Sequence, residues 1–290
     1  VFEGFERTRI ETRGATINAV RGGEGQPVLL LHGYPQTLAM WHLVASRLAE
    51  RFTVVATDLR GYGDSSKPPA GEDHAAYSKR AMAEDQVEAM VALGFDRFAV
   101  VGHDRGGRVG HRMALDHPDR VSKLAVLDIV PTRHVFETAD KDLGMIYYHW
   151  FFLAQPYDLP ERLIGSDSGY YLRKKLGGWG TGMEAFAPEA LAEYERCFLD
   201  PETIHASCED YRAAASIDLD HDEADVGRKV ACPLLTLWGR NGAMEKLYNV
   251  LEVWRGYALN ARGRSLGCGH FLAEERPEET AEELLSFLEG

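Results

Sequence analysis

Phe98-Ala99-Val100-Val101-Gly102-His103-Asp104-Arg105-Gly106-Gly107-Arg108 is the stretch that decides the fold. An uninterrupted apolar run enters a glycine-rich turn, as a buried strand does, and Arg108 to Leu115 continues as a helix. Gly102, Gly106 and Gly107 permit a sharp turn and close backbone packing, which leaves the Asp104 side chain exposed at the C-terminal edge of a sheet. This strand-to-helix elbow ordinarily presents a serine as nucleophile; here it presents a carboxylate. A serine there attacks acyl carbon, whereas an aspartate can displace a leaving group from saturated carbon and become esterified. Spacing alone also fits a plain structural turn, so the rest of the chain has to decide.

Working outward, residues near 5 to 21 alternate polar and apolar around Gly14, which predicts a short hairpin. Pro27 to Leu31 is a continuous apolar strand ending in His32-Gly33-Tyr34-Pro35, and Phe52 to Ala56 is another, ending before Asp58-Leu59-Arg60-Gly61-Tyr62-Gly63-Asp64-Ser65. Met82, Val87, Met90 and Val91 recur at helical spacing between Ser78 and Leu93, and further strands are predicted at 124–127, 234–238 and 263–266. Uniformly apolar strands separated by helices define an α/β architecture, a mostly parallel central sheet flanked by helices. Between about 131 and 227 the pattern turns aromatic and helical, with Gly and Pro breaks. The expected organisation is a core formed by residues 1–130 and 228–290, with a helical cap at 131–227.

A chain of 290 residues with 45% hydrophobic content can bury a sizeable core, and a net charge of -13 argues against binding nucleic acid or an anionic membrane. Cys197, Cys208, Cys232 and Cys268 lack paired short spacing, so neither a zinc site nor a disulfide framework is expected. No apolar run approaches the roughly 18 residues of a membrane span, and no basic-then-apolar leader is visible at the N-terminus. A cytoplasmic location is the expectation.

His32-Gly33-Tyr34-Pro35, Asp58 to Ser65, the aspartate elbow and Gly267-Cys268-Gly269-His270-Phe271 together, in this order, resemble the α/β-hydrolase superfamily. Within it, Gly102 to Arg108, Leu127-Asp128-Ile129-Val130-Pro131-Thr132, Tyr148-His149-Trp150 and Cys208-Glu209-Asp210-Tyr211-Arg212 resemble the fluoroacetate (haloacetate) dehalogenases. Haloalkane dehalogenases share the fold but usually carry tryptophan directly after the nucleophile, where this chain has Arg105.

The resemblance and the side chains together assign roles. Asp104 is the expected nucleophile, and His270, on a glycine-flanked turn after the last strand, is the base that activates water. The acid that orients His270 follows the penultimate core strand in many relatives, but Leu235 to Gly242 offers only Asn241 there. Asp128, after Val126-Leu127, fills the role, with Glu245 a weaker substitute. Arg105 and Arg108 are expected to bind a substrate carboxylate through paired hydrogen bonds, while Arg112 reads as a surface arginine. His149, Trp150 and Tyr211 are read as the halide cradle, and the backbone N–H groups of Tyr34 and Arg105 as the oxyanion donors. His32 and His103 are expected to make backbone or packing contacts.

These roles imply hydrolytic dehalogenation of a small 2-haloacid to its 2-hydroxy acid through an aspartyl ester, with no metal and no organic cofactor. The resemblance also implies a homodimer. The alternative is an epoxide hydrolase using the same nucleophile and activated water, with Tyr211 and either Tyr147 or Tyr148 protonating the alkoxide.

Overall fold

Strands that are apolar on both faces need cover on both, and in the computed structural model, which describes residues 1–290, helices supply it on either side of one eight-stranded sheet. The strands are β1 (Glu6–Glu11), β2 (Thr16–Gly22), β3 (Gln26–Leu31), β4 (Phe52–Thr57), β5 (Phe98–His103), β6 (Val121–Leu127), β7 (Leu234–Gly239) and β8 (Ala261–Leu266). Their order is β1-β2-β4-β3-β5-β6-β7-β8. β1 and β2 form the predicted hairpin and β2 pairs antiparallel with β4, while every pairing from β4 to β8 is parallel. β4 and β5 are buried along their whole length, as their mostly apolar sequences predict.

Helices α1 (His42–Leu48), α2 (Lys79–Ala92) and α3 (Arg105–Asp116) connect the first strands. Between β6 and β7 the chain is mainly helical: α4 (Thr132–Glu137), α5 (Lys141–Ile146), α6 (Tyr148–Leu153), α7 (Leu159–Gly165), α8 (Ser168–Trp179), α9 (Pro188–Phe198), α10 (Pro201–Ala214) and α11 (Ile217–Ala224). α12 (Ala243–Leu247) and α13 (Val250–Tyr257) follow β7, and α14 (Leu272–Glu275) and α15 (Pro277–Glu289) follow β8. One hydrophobic cluster runs from sheet residues such as Leu30, Val100 and Val126 into Trp150, Leu172 and Tyr211 of the helical insertion, so the insertion is packed onto the core.

Parallel register brings the functional turns to one edge. Leu31 lies opposite Gly102, His103 opposite Leu127, and Leu127 opposite Leu237, so β3, β5, β6 and β7 end side by side. Their carboxyl ends form the crevice where open α/β sheets hold ligands. The elbow itself depends on close approach: the Gly106 amide donates to the His32 carbonyl at 2.9 Å. A Cβ at Gly106 would lie 2.4 Å from the Leu31 carbonyl oxygen, and one at Gly102 would lie 2.4 Å from the Gly106 carbonyl oxygen. Both contacts are with backbone, which cannot swing away. Gly106→Ala is therefore expected to destabilise the protein by about 1–3 kcal/mol, seen as a lower urea midpoint with an unchanged slope.

Candidate active site

Two aspartates leave their strands in the left-handed region. Asp104, directly after β5, has φ 46° and ψ -113°, and Asp128, directly after β6, has φ 54°. A non-glycine residue held there costs on the order of 1–3 kcal/mol and persists only where its surroundings over-determine it. Asp104 occupies the N-cap position of α3 but makes no capping bond, so its carboxylate is turned into the site. Oδ1 accepts a hydrogen bond from the Tyr34 amide at 3.0 Å, while Oδ2 has no hydrogen-bond partner within the protein. Burial opposes ionisation, but the charges of His270, Arg105 and Arg108 outweigh it and hold the Asp104 pKa down at about 2. The group is a carboxylate at neutral pH. Of the two expected oxyanion donors, the Tyr34 amide thus already contacts Asp104; the Arg105 amide makes no such bond.

His270 stands on the turn after β8. Its Nδ1 lies 2.6 Å from Asp128 Oδ2, and Asp128 Oδ1 accepts from the Gly239 amide at 2.9 Å. Asp128 is thereby fixed between two strands' ends, and it dictates that Nδ1 carries the proton and Nε2 is the basic nitrogen. Burial lowers the His270 pKa, but the hydrogen bond and charge of Asp128, with a further contribution from Asp104, raise it above the ordinary histidine value. Glu245 is turned elsewhere, accepting from the Trp238 indole. His103 lies against His270, ring centroids 4.4 Å apart, and its Nε2 bonds the His270 carbonyl at 2.8 Å. His32 donates from Nδ1 to the Gly33 carbonyl at 2.9 Å and accepts the Leu59 amide on Nε2 at 3.0 Å, which fixes a neutral ring.

Arg105 differs from expectation. Its Nε and Nη2 edge, the one suited to a paired bond with substrate, is spent on Asp210 at 2.9 and 2.6 Å, leaving only Nη1 without a partner. A buried guanidinium needs a counter-charge before any substrate arrives, and Asp210 supplies it. Arg108 bonds the Val130 carbonyl and the Thr132 hydroxyl through Nη1, while Nε and Nη2 are buried and unpartnered. Arg112 is not a surface residue: it is 3% exposed and paired with Asp116 and Asp225, because α3 is covered there by the insertion.

The aromatic trio converges on the same place. Arg105 lies 4.1 Å from the Tyr211 ring centre, and Arg108 lies 4.4 Å from that of Trp150. Trp150 and Tyr211 are each 1% exposed and stand edge-on to one another; neither the Trp150 indole N–H nor the Tyr211 hydroxyl is hydrogen-bonded within the protein. Burial keeps His149 far below the ordinary histidine pKa, so it is neutral, and its Nδ1 is unpartnered. Buried donors without acceptors are costly, and a cluster of them marks a place for an anion.

A cavity of about 150 Å³ joins these groups. Asp104, Asp128, His149, Trp150 and His270 are on its wall, together with Tyr147, named above for the epoxide-hydrolase alternative, and with Trp179 and Lys246, which the sequence did not single out. Arg105, Arg108 and Tyr211 stand beside that wall rather than on it. Trp179 packs on His149 at 4.5 Å and on His270 at 5.7 Å between ring centres, and its carbonyl accepts the His270 amide. Only its position beside Gly177-Gly178 and Gly180 could have drawn attention to it. Tyr148, by contrast, is 48% exposed with its hydroxyl bonded to Lys175. No group of three His, Cys, Asp or Glu side chains is placed to hold a metal ion.

A carboxylate on a strand-to-helix elbow, facing a histidine held by a second carboxylate at the carboxyl edge of a parallel sheet, defines a class. The family described as alpha/beta hydrolase fold matches residues 26–277, and the chain belongs to it. A fluoroacetate dehalogenase from Burkholderia sp. is 52% identical over 289 residues, covering 99% of this chain and 95% of that protein. A soluble epoxide hydrolase from Corynebacterium sp. (strain C12) is 35% identical, covering 94% of both chains. Among solved structures, a Nostoc sp. PCC 7120 protein of α/β-hydrolase type superposes with a TM-score of 0.97 at 59% identity, covering 98% of each chain.

The charge on Asp104 contributes to the raised pKa of His270, and esterification removes that charge. His270 must then hold its proton less tightly in the intermediate than in the free enzyme, just when a neutral base is needed. The acidic limb of kcat, measured where ester hydrolysis limits turnover, is expected at lower pH than the His270 titration followed by NMR in the free protein. Coincidence of the two would contradict the coupling.

Proposed function

We propose that the protein is a haloacetate dehalogenase, hydrolysing small 2-haloacids such as fluoroacetate or chloroacetate to the 2-hydroxy acid and halide. The carrying observation is the set of buried polar atoms without partners around an ionised carboxylate, Arg108 Nε and Nη2, Arg105 Nη1 and His149 Nδ1, beside the Trp150 and Tyr211 donors, which make no hydrogen bond within the protein. Arginine donors suit the carboxylate end of a haloacid, and neutral donors suit a departing halide. Asp104 Oδ2 attacks the halogen-bearing carbon, the carbon–halogen bond breaks, and halide leaves toward His149, Trp150 and Tyr211. His270, oriented by Asp128, then takes a proton from water as it adds to the ester carbonyl, whose oxygen rests on the Tyr34 amide. The tetrahedral species then collapses: the bond between the Asp104 carboxyl carbon and Oδ2 breaks, the leaving alkoxide takes the proton held by His270, and the hydroxy acid departs with Asp104 and His270 restored. No metal or organic cofactor enters this scheme.

The division into a core (1–130 and 228–290) and a cap (131–227) belongs to the same reading, with substrate held between them. So does a homodimer: Met145, Tyr148, Phe151, Leu163 and Tyr170 of the insertion are exposed apolar or aromatic side chains of the kind that mark association surfaces. A cytoplasmic site of action fits four free cysteines and the absence of any helix long and apolar enough to cross a membrane. The epoxide-hydrolase alternative draws on Tyr147, which lines the cavity and packs on His149 and Trp150; Tyr148 does not line it.

Asp104→Asn is expected to lower halide release from fluoroacetate and chloroacetate by on the order of 10⁴-fold or more. His270→Ala should release one equivalent of halide and stop, with the ester visible as a mass gain on the protein. A single turnover in ¹⁸O water should leave the isotope in Asp104. Turnover of a neutral epoxide without halide release from haloacetates would reverse the assignment.

A further inference from the structure

Asp210 precedes Tyr211 on α10, is fully buried, and has no place in the chemistry described above. Its carboxylate is nonetheless the most heavily bonded in the protein's interior. Oδ1 receives Arg105 Nη2 at 2.6 Å and Lys79 Nζ; Oδ2 receives Arg105 Nε at 2.9 Å and the Tyr62 hydroxyl at 2.7 Å. Arg105 Nη2 also donates to the Asp210 carbonyl at 3.0 Å. Lys79, on α2, is 3% exposed and is shared: its amide donates to Asp218 Oδ1 at 2.7 Å and its Nζ lies 3.2 Å from Asp218 Oδ2. Asp218 sits on α11, so the network ties the elbow helix to three other helices.

We propose that Asp210 and Lys79 are positioning residues that set the reach and the effective charge of Arg105 toward the substrate carboxylate. This rests on the haloacid reading of the site. The geometry divides the labour. Asp210 grips the Nε and Nη2 edge, which fixes the guanidinium plane over Tyr211 and leaves Nη1 as the one donor free for substrate. Alone, that grip would cancel the charge Arg105 presents. Lys79, bonded to the same carboxylate oxygen as Arg105 Nη2, offsets Asp210, so that Arg105 keeps its attraction for an anion in a site where burial leaves charges little screened. Asp218 competes for Lys79 from the other side. The two neighbours of Lys79 therefore make opposite predictions, which a purely structural network would not.

The test measures KM and kcat for chloroacetate, the Kd for glycolate by titration calorimetry, and thermal stability. Lys79→Met is expected to raise KM and the glycolate Kd in the same proportion, roughly tenfold, and by more than kcat falls. Lys79→Arg should restore most of the affinity. Asp218→Asn, which keeps its side-chain oxygen for the Lys79 amide, is expected to leave affinity unchanged or to tighten it. In an Asp210→Asn background the Lys79→Met effect should shrink, since the carboxylate through which Lys79 acts on Arg105 is then neutral. Should Lys79→Met not fold, Asp218→Asn decides: weakened glycolate binding overturns the proposal, and unchanged or tighter binding supports it. Equal loss in all variants, tracking thermal stability, overturns it, as does wild-type protein that binds no glycolate. Wild type that binds glycolate with this pattern but releases no halide upholds the role of Lys79 and Asp210 and rejects the dehalogenase reading instead.

Discussion

The site is built around one demand: a carboxylate must stay ionised where water is largely excluded. Asp104 meets it through the positive charges of His270, Arg105 and Arg108, each of which is itself buried and needs its own compensation. His270 is matched by Asp128, and Asp128 by the Gly239 amide. Arg105 is matched by Asp210, and Asp210 by Lys79. Arg108 is the exception. It has carbonyl and hydroxyl partners and feels the charge of Asp104, but no carboxylate is bonded to it, and burial lowers its pKa. A guanidinium in that state is the natural receptor for an anion supplied from outside.

Such chains of compensation explain which parts of the molecule could be read from sequence. The sheet was legible because its central strands are unbroken apolar runs ended by glycine turns, and burial on both faces leaves few other readings. Asp104 and His270 were legible for a related reason: the turns that carry them need glycine neighbours, and glycine marks its position in a sequence. Asp128 could be named because the strand that usually bears the acid has none.

What escaped was whatever depends on side chains brought together from distant segments. Asp210 lies 105 residues from Arg105 and 131 from Lys79, and nothing in local spacing links them. The expectation that Arg105 would offer substrate its paired edge failed on this point, since a lone arginine motif does not reveal a competing internal carboxylate. Arg112 was misread likewise: charge on a helix implies solvent only until another helix covers it. Trp179 lines the cavity because α8 folds over the sheet edge, a matter of tertiary docking rather than pattern.

The hydrogen bond from the Tyr34 amide to Asp104 Oδ1 has a consequence for the fate of individual atoms. It makes the two carboxylate oxygens inequivalent. While that bond holds, Oδ1 is a spectator, carried unchanged from cycle to cycle, and only the Oδ2 position exchanges. Each hydroxyl group leaving with product would then derive from a water molecule consumed one cycle earlier. The side chain acts as a relay with a memory of a single step, kept by one backbone N–H.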